Sequence, residues 1–184
     1  MNRRHALLLL SAAPLAACVS APPPATQDEI LGLGASLAAM SPNIDPEEAH
    51  RAARVAYART AELRDAYQIT DPPLIHNAKV NAGIKPRGLC WQWANDMESR
   101  LRAEKFKTFS FHRAIANATT LRIDHSTVIM SARDAGMFDG MVLDPWRKGG
   151  ILTWVPTATD PDYKWVSRAQ VFADREAKER LKNY

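Results

Sequence analysis

A thiol, an imidazole and a carboxylate occur in this sequence in an order that suits nucleophilic catalysis. Cys90 stands where a loop gives way to a helical pattern, His125 opens an apolar alternating run, and Asp144 ends the next such run. A thiol is only a few per cent ionised at neutral pH, so a nucleophilic cysteine needs a nearby base and the positive end of a helix. The three residues predict a nucleophile that attacks an acyl group, a base that activates it and a carboxylate that orients the base.

The predicted elements explain how these residues come together. From Cys90 onward, Trp93, Met97 and Leu101 fall on one helical stripe, and Gly88 allows a tight turn into that helix. Strand patterns follow at 108–114, 126–132, 137–143 and 151–155, with Gly149-Gly150 as a turn before the last one. The pattern predicts a helix followed by an antiparallel meander.

The meander places His125 beside Asp144. His125 lies at the start of one strand and Asp144 at the end of the next, with residues 132–136 as the turn between them. Adjacent antiparallel strands bring the start of one close to the end of the other. We therefore expect the imidazole and the carboxylate to be near neighbours.

Helices are expected on both sides of this region. Residues 28–40 and 45–67 carry helical patterns, and Asp45-Pro46 is a strong helix start. Asp71-Pro72-Pro73 is expected to end the second helix, 74–89 to form an ordered loop, and 169–181 to form an exposed helix. The predicted class is α+β, with N-terminal helices preceding a Cys-bearing helix that packs on an antiparallel sheet.

The chemistry-bearing residues also carry a family resemblance. The run Gly88-Leu89-Cys90-Trp91-Gln92-Trp93-Ala94 resembles the nucleophile motif of the transglutaminase-like superfamily. His125 resembles that family's base, and Leu143-Asp144-Pro145-Trp146 resembles its third motif. The resemblance covers roughly residues 74–156. It implies a papain-like core and a Cys-His-Asp triad that acts through a thioester, without a cofactor or a metal.

In that mechanism the Cys90 thiolate attacks an amide or ester carbonyl, and peptides are the expected substrates. The oxyanion would be held by the Cys90 backbone amide and one further donor, for which Asn81, Gln92 and Asn77 are candidates. Water as the second reactant makes a hydrolase, and an amine makes a transferase. The sequence leaves both open.

The N-terminus predicts export and lipidation. Residues 1–17 read as a signal peptide, and Leu15-Ala16-Ala17-Cys18 resembles the lipobox of bacterial lipoproteins. We expect Cys18 to carry the lipid, residues 18–27 to form a Pro-rich tether, and residues 28–184 to form one domain. The predicted location is the bacterial cell envelope, facing the periplasm, with the outer membrane favoured because Val19, and not Asp, follows Cys18. An ordinary signal peptide is the alternative, and Arg3-Arg4 leaves the twin-arginine route open.

Other functions have less support. Loss of Arg3 and Arg4 with the signal peptide lowers the formal charge from +4 to +2, and no basic cluster with interleaved aromatics predicts nucleic-acid binding. The histidines at 76, 112 and 125 match no metal-site spacing. The CHAP-like amidases remain an alternative enzyme family for this chain.

A non-catalytic envelope lipoprotein with the same fold remains the alternative from another class. In that case Trp146, Trp154 and Trp165 would line a groove for a protein or glycan partner. Packing against the back of the sheet is the expectation that we favour for these tryptophans.

Overall fold

A computed structural model describes residues 22–182 of the chain. The predicted signal peptide at 1–17 and Cys18, the predicted lipidation site, lie outside these residues. The described part contains five helices and a five-stranded antiparallel sheet, so the predicted α+β class is confirmed. Within residues 22–182, no helix is both long enough and apolar enough to cross a bilayer.

The helices and strands follow one another in blocks. The helices are α1 (Gln27–Ala38), α2 (Pro46–Ala66), α3 (Pro73–Asn81), α4 (Cys90–Ala103) and α5 (Arg168–Lys182). The strands are β1 (Phe109–Ala116), β2 (His125–Ala132), β3 (Met141–Asp144), β4 (Thr153–Pro156) and β5 (Val166–Ser167). Single turns of 3₁₀-helix at Met137–Asp139 and Thr157–Thr159 flank β3 and β4.

The first two helices begin at side-chain caps. Thr26 and Glu29 form a capping box at α1, and the Asp45 carboxylate accepts from the Glu47 amide at the start of α2. The last two residues of the predicted tether, Thr26 and Gln27, therefore belong to the start of α1. Upstream of them, the Pro22 carbonyl accepts a hydrogen bond from Arg64 at 3.0 Å.

The expected loop at 74–89 is wrong in its first half, where α3 forms instead. Pro72 is the N-cap of this helix and Pro73 its first residue. Proline ends a preceding helix but is also favoured in the first turn of a new one, since its missing amide proton has no acceptor there. The Pro-Pro pair therefore separates two helices.

The third predicted strand is also shorter than expected. Only Met141–Asp144 is extended, because Met137–Asp139 forms a 3₁₀ turn that ends at Gly140. A Cβ at Gly140 would lie 2.8 Å from the Met130 carbonyl oxygen, so β2 passes too close for any larger residue. The short edge strand β5 had no counterpart in the prediction.

The sheet has the order β4-β3-β2-β1-β5, with all neighbouring strands antiparallel. One face of β2 presents Val128 and Met130 to the main core, which also contains residues of α1, α2 and α4. The opposite face presents Ile129 to a smaller cluster that includes Trp165. The face of β2 that carries Val128 and Met130 is buried against α4. This burial holds α4, and with it Cys90, against the sheet.

Candidate active site

His125 and Asp144 meet as the hairpin pattern predicts. The register pairs Val128 with Leu143, and its continuation sets Asp144 opposite Thr127, two residues from His125 on the same face of the sheet. Nε2 of His125 lies 2.6 Å from Oδ2 of Asp144, and both side chains are 1% exposed. The imidazole and the carboxylate are thus in direct, fully buried contact.

Asp144 is held rigidly by the loop that follows it. Its Oδ1 accepts from the backbone amides of Trp146 and Arg147, both at 3.1 Å. Its Oδ2 accepts from Nε of Arg147 at 2.9 Å, in addition to His125. With four donors around it, the carboxylate has little freedom to turn away from the imidazole.

Cys90 opens α4, with its side chain at the positive end of the helix. Its thiol donates to the carbonyl oxygen of Asp124, the residue before His125, at 3.5 Å. Nδ1 of His125 is buried and has no hydrogen-bond partner of regular geometry. Since Nε2 is engaged by Asp144, Nδ1 is the nitrogen left to exchange a proton with the thiol.

The charges of this cluster support one another. Burial opposes a charge on His125, but attraction to Asp144, their hydrogen bond and the neighbouring Cys90 thiol raise the imidazole pKa to about 9. Burial also opposes ionisation of Asp144, yet His125 and Arg147 lower the pKa of that carboxyl. At neutral pH the site therefore holds an imidazolium and a carboxylate.

Arg147 belongs to the site, although the sequence analysis did not single it out. Its guanidinium is 7% exposed and bonds two acids. It bonds Asp144 on one side, and on the other side it makes two hydrogen bonds to Asp160, at 2.7 and 3.0 Å. These two acids keep the Arg147 pKa raised in spite of burial. Its position three residues after Asp144 is a pattern that an Asp–Arg pair can use, but Asp160 is too distant in sequence to have been found.

A second cation, Arg113 on β1, was also missed. Burial lowers the pKa of its guanidinium, while Glu98 and the nearby Cys90 act in the opposite direction. Arg113 bonds the Thr127 carbonyl at 3.2 Å and the side chains of Asn95 and Glu98 on α4. Arg113 thus places a positive charge near the Cys90 thiol.

Aromatic rings enclose the imidazole. The ring centroids of Trp146, Tyr163 and Trp165 lie 4.6, 4.6 and 5.4 Å from that of His125. Trp146 and Trp165 are buried, and Trp154 donates to the Tyr57 hydroxyl at 3.0 Å. The three tryptophans therefore make packing contacts. Trp146 also borders the cleft that reaches His125, and Trp154 borders a separate open pocket.

The neighbouring Trp91 and Trp93 differ from each other. Trp93 is buried, against Tyr67. Trp91, directly after Cys90, is half exposed, because the helix turns its side chain away from the core.

The oxyanion candidates have different surroundings. Within residues 22–182, no acceptor bonds the Cys90 amide, because the first amides of a helix have no acceptor within that helix. Gln92 is buried, and its carbonyl oxygen accepts from the amides of Gly88 and Leu89 at 2.8 and 3.0 Å. Gln92 therefore fastens the turn that precedes the nucleophile.

The two asparagines of α3 are placed less favourably. Asn81 is exposed on the last turn of α3 and does not border the cleft that reaches His125. Asn77 lies nearer the site, because its Oδ1 accepts from Nε1 of Trp146 at 3.1 Å. The structure thus brings Gln92 and Asn77 to the neighbourhood of the triad and leaves Asn81 outside it.

His76 and His112, the other histidines considered as metal ligands, have partners of their own. His76 contacts the Arg87 carbonyl oxygen and His112 the Ser131 hydroxyl, each at 2.8 Å. In the described part of the chain, no group of three or more His, Cys, Asp or Glu side chains is arranged to hold a metal ion.

No protein-family model matches this chain, and no curated protein and no solved structure is detectably similar to it.

Proposed function

We propose that this protein is a cysteine-dependent acyl-transfer enzyme with a transglutaminase-like, papain-like core. It cleaves amide or peptide bonds through Cys90, His125 and Asp144. The observation that carries the proposal is the buried imidazole, bonded to Asp144 through Nε2 and adjacent to the Cys90 thiol through an otherwise unpartnered Nδ1. A nucleophile, a base and an orienting group in contact are the arrangement that nucleophilic catalysis requires.

The proposed resting state is an ion pair. Because the His125 pKa is raised to about 9, the imidazole is protonated at neutral pH. The imidazolium, the nearby Arg113 and the start of α4 all stabilise a negative charge on Cys90. The thiol proton then resides on His125 before the substrate arrives.

The first half-reaction forms a thioester. The Cys90 thiolate attacks the substrate carbonyl carbon, and the carbonyl electron pair moves to oxygen. The unpaired Cys90 amide donates to this oxyanion, and the Gln92 side-chain amide is the proposed second donor. As the carbon–nitrogen bond breaks, His125 gives its proton to the leaving amine.

The second half-reaction releases the acyl group. His125, now neutral, takes a proton from water or from an acceptor amine, which attacks the thioester carbonyl. Collapse of the new tetrahedral species breaks the carbon–sulfur bond and restores the Cys90–His125 ion pair. Water gives a carboxylic acid, and an amine gives a new amide.

The proposed location is the bacterial cell envelope. The lipobox-like run before Cys18 supports a lipid anchor at that residue, with the folded domain facing the periplasm. Peptides of the envelope would then be the reachable substrates.

The experiment measures the reactivity of Cys90. The chain carries Cys18→Ala, so that Cys90 is the one remaining thiol, and is alkylated with iodoacetamide from pH 5 to 10. We expect rapid alkylation at pH 6–7, and we expect His125→Ala to slow it at least 10-fold by removing the cation beside the sulfur.

His112→Gln is the matched control, because His112 is a partly buried histidine of the same sheet that bonds Ser131. This variant should react like the parent. If Cys90 reacts no faster than a free cysteine at pH 6–7, or if His125→Ala changes nothing, the enzyme proposal is wrong. The non-catalytic lipoprotein is then the better reading of the chain.

A further inference from the structure

An open cleft of about 730 Å³ leads from the surface to His125 of the candidate triad. Its floor is formed by His125, Trp146 and Tyr163. One wall is the first turn of α3 with the residues just before it, and the other is the β1–β2 loop. A cleft of this size is of the order that binds small ligands or several peptide residues.

Aliphatic side chains on both walls of the cleft are open to solvent, and the charged residues Arg122, Arg147 and Asp162 also border it. Leu74 and Ile75 on the α3 side and Ile123 on the loop side are 61%, 52% and 50% exposed. Single exposed aliphatic residues are ordinary on a protein surface, but here three of them border one opening above a buried imidazole. Their surface would be removed from water by an aliphatic group that enters the cleft.

Polar groups lie deeper in the same cleft. The Tyr163 hydroxyl has no hydrogen-bond partner within residues 22–182, and its pKa is raised by burial and by Asp144. Asn117 lies beside it on the loop, where its Nδ2 donates to the Ile123 carbonyl at 3.1 Å and leaves Oδ1 free. Unpaired polar atoms between aliphatic walls suit a peptide backbone better than a bare hydrocarbon chain.

We propose that this cleft binds the acyl side of a peptide substrate and selects an aliphatic side chain next to the scissile carbonyl. Leu74, Ile75 and Ile123 contact that side chain, and the Tyr163 hydroxyl donates to a backbone carbonyl. The proposal rests on the proposed function, since it assigns the substrate class of the same site.

The test compares two thiol-directed probes on the full chain with Cys18→Ala. Both are N-acetylated acyloxymethyl ketones, one with Leu and one with Gly beside the ketone. The Cys90 sulfur displaces the carboxylate of either probe and forms a thioether. We expect the second-order labelling rate to be at least about 10-fold higher for the Leu probe, since a filled aliphatic pocket discriminates by 10- to 200-fold.

Variants of the cleft wall test where the preference for the Leu probe over the Gly probe arises. Ile75→Ser is expected to reduce the Leu-to-Gly rate ratio to near one. The matched control is Ile84→Ser, which removes an exposed isoleucine that does not border the cleft and should leave the ratio unchanged.

The outcomes separate this inference from the proposed function. If iodoacetamide reacts rapidly but the two ketones label equally, or if Ile84→Ser lowers the ratio as Ile75→Ser does, the cleft assignment is wrong and the enzyme remains. If iodoacetamide itself reacts slowly and without dependence on His125, the enzyme proposal fails and the cleft assignment with it.

Discussion

The candidate triad depends on a single imidazole that has two different neighbours. His125 bonds Asp144 through Nε2 and leaves Nδ1 without a partner, so the carboxylate controls both the orientation and the charge of the imidazole. Burial opposes a charge on His125, but the charge and the hydrogen bond of Asp144, together with the nearby Cys90 thiol, raise the His125 pKa to about 9. At the scale of residues, Asp144 therefore holds the positive charge of the imidazole beside Cys90.

Replacement of Asp144 by Asn tests whether this carboxylate affects the reactivity of Cys90 through His125. The amide keeps the shape but lacks the charge, so we expect Asp144→Asn to slow iodoacetamide alkylation at pH 6.5 by about 10- to 1000-fold, the range that loss of one nearby charge produces. Asp139→Asn, at an exposed acid outside the site, should react like the parent. An unchanged rate in Asp144→Asn would mean that His125 does not depend on its carboxylate.

The pH dependence of stability follows from the His125 shift. The folded-state pKa, about 9, lies above the ordinary 6.5, so folding binds the proton more tightly. The resulting stabilisation is complete below about pH 6.5 and is lost as the pH rises through about 9. We expect the free energy of unfolding, measured with urea, to fall between pH 6.5 and 9.5.

A comparison of variants isolates this effect from other titrating groups. His125→Gln should flatten the decline over that range, whereas His112→Gln should retain it. A His125→Gln variant with the same slope as the parent would contradict the assigned pKa.

At the scale of elements, the site depends on a sharp turn into α4. Gly88 has φ of +131°, and Gln92 accepts the amides of Gly88 and Leu89 from within the helix. His76 of α3 packs against the same turn and contacts the Arg87 carbonyl. The helix that was predicted as a loop thus supports the turn that positions Cys90.

Gly88→Ala is expected to be strongly destabilising. A Cβ at this position would lie 2.4 Å from Nε2 of His76, and the backbone conformation is one that only glycine adopts easily. We expect a loss of about 2 to 4 kcal/mol in urea unfolding, from backbone strain and overpacking together. Gly83→Ala is the control, because its φ of +71° is also left-handed but its Cβ would meet open space, and it should cost about 1 kcal/mol.

At the scale of the whole molecule, Arg147 joins parts of the chain that are distant in sequence. It connects Asp144 at the end of β3 with Asp160, and Asp160 also accepts from Nε1 of Trp165 at 2.9 Å. Trp165 in turn packs on the sheet and on His125. One buried guanidinium therefore ties the segment before β5 to the triad.

Arg147→Met tests that role. Removing the cation takes the guanidinium away from two buried carboxylates, which keep their other hydrogen bonds, and we expect a loss of about 3 to 5 kcal/mol in urea unfolding. Arg180→Met removes one partner of an exposed pair with Glu176 and should cost less than about 1 kcal/mol. Equal unfolding midpoints for the two variants would show that Arg147 does not hold the site together.

The sequence by itself determined what depends on local patterns. Short-range spacing and strand alternation account for the caps and periodicity of α2, the helix beginning at Cys90, the turn at Gly149-Gly150 and the pairing of His125 with Asp144.

Only the tertiary structure decided the rest. Arg113, Asp160, Tyr163 and the aliphatic cleft come to His125 from separate segments, and their contacts depend on how the helices and the sheet pack. Packing has no fixed sequence separation, so no pattern along the chain could predict it.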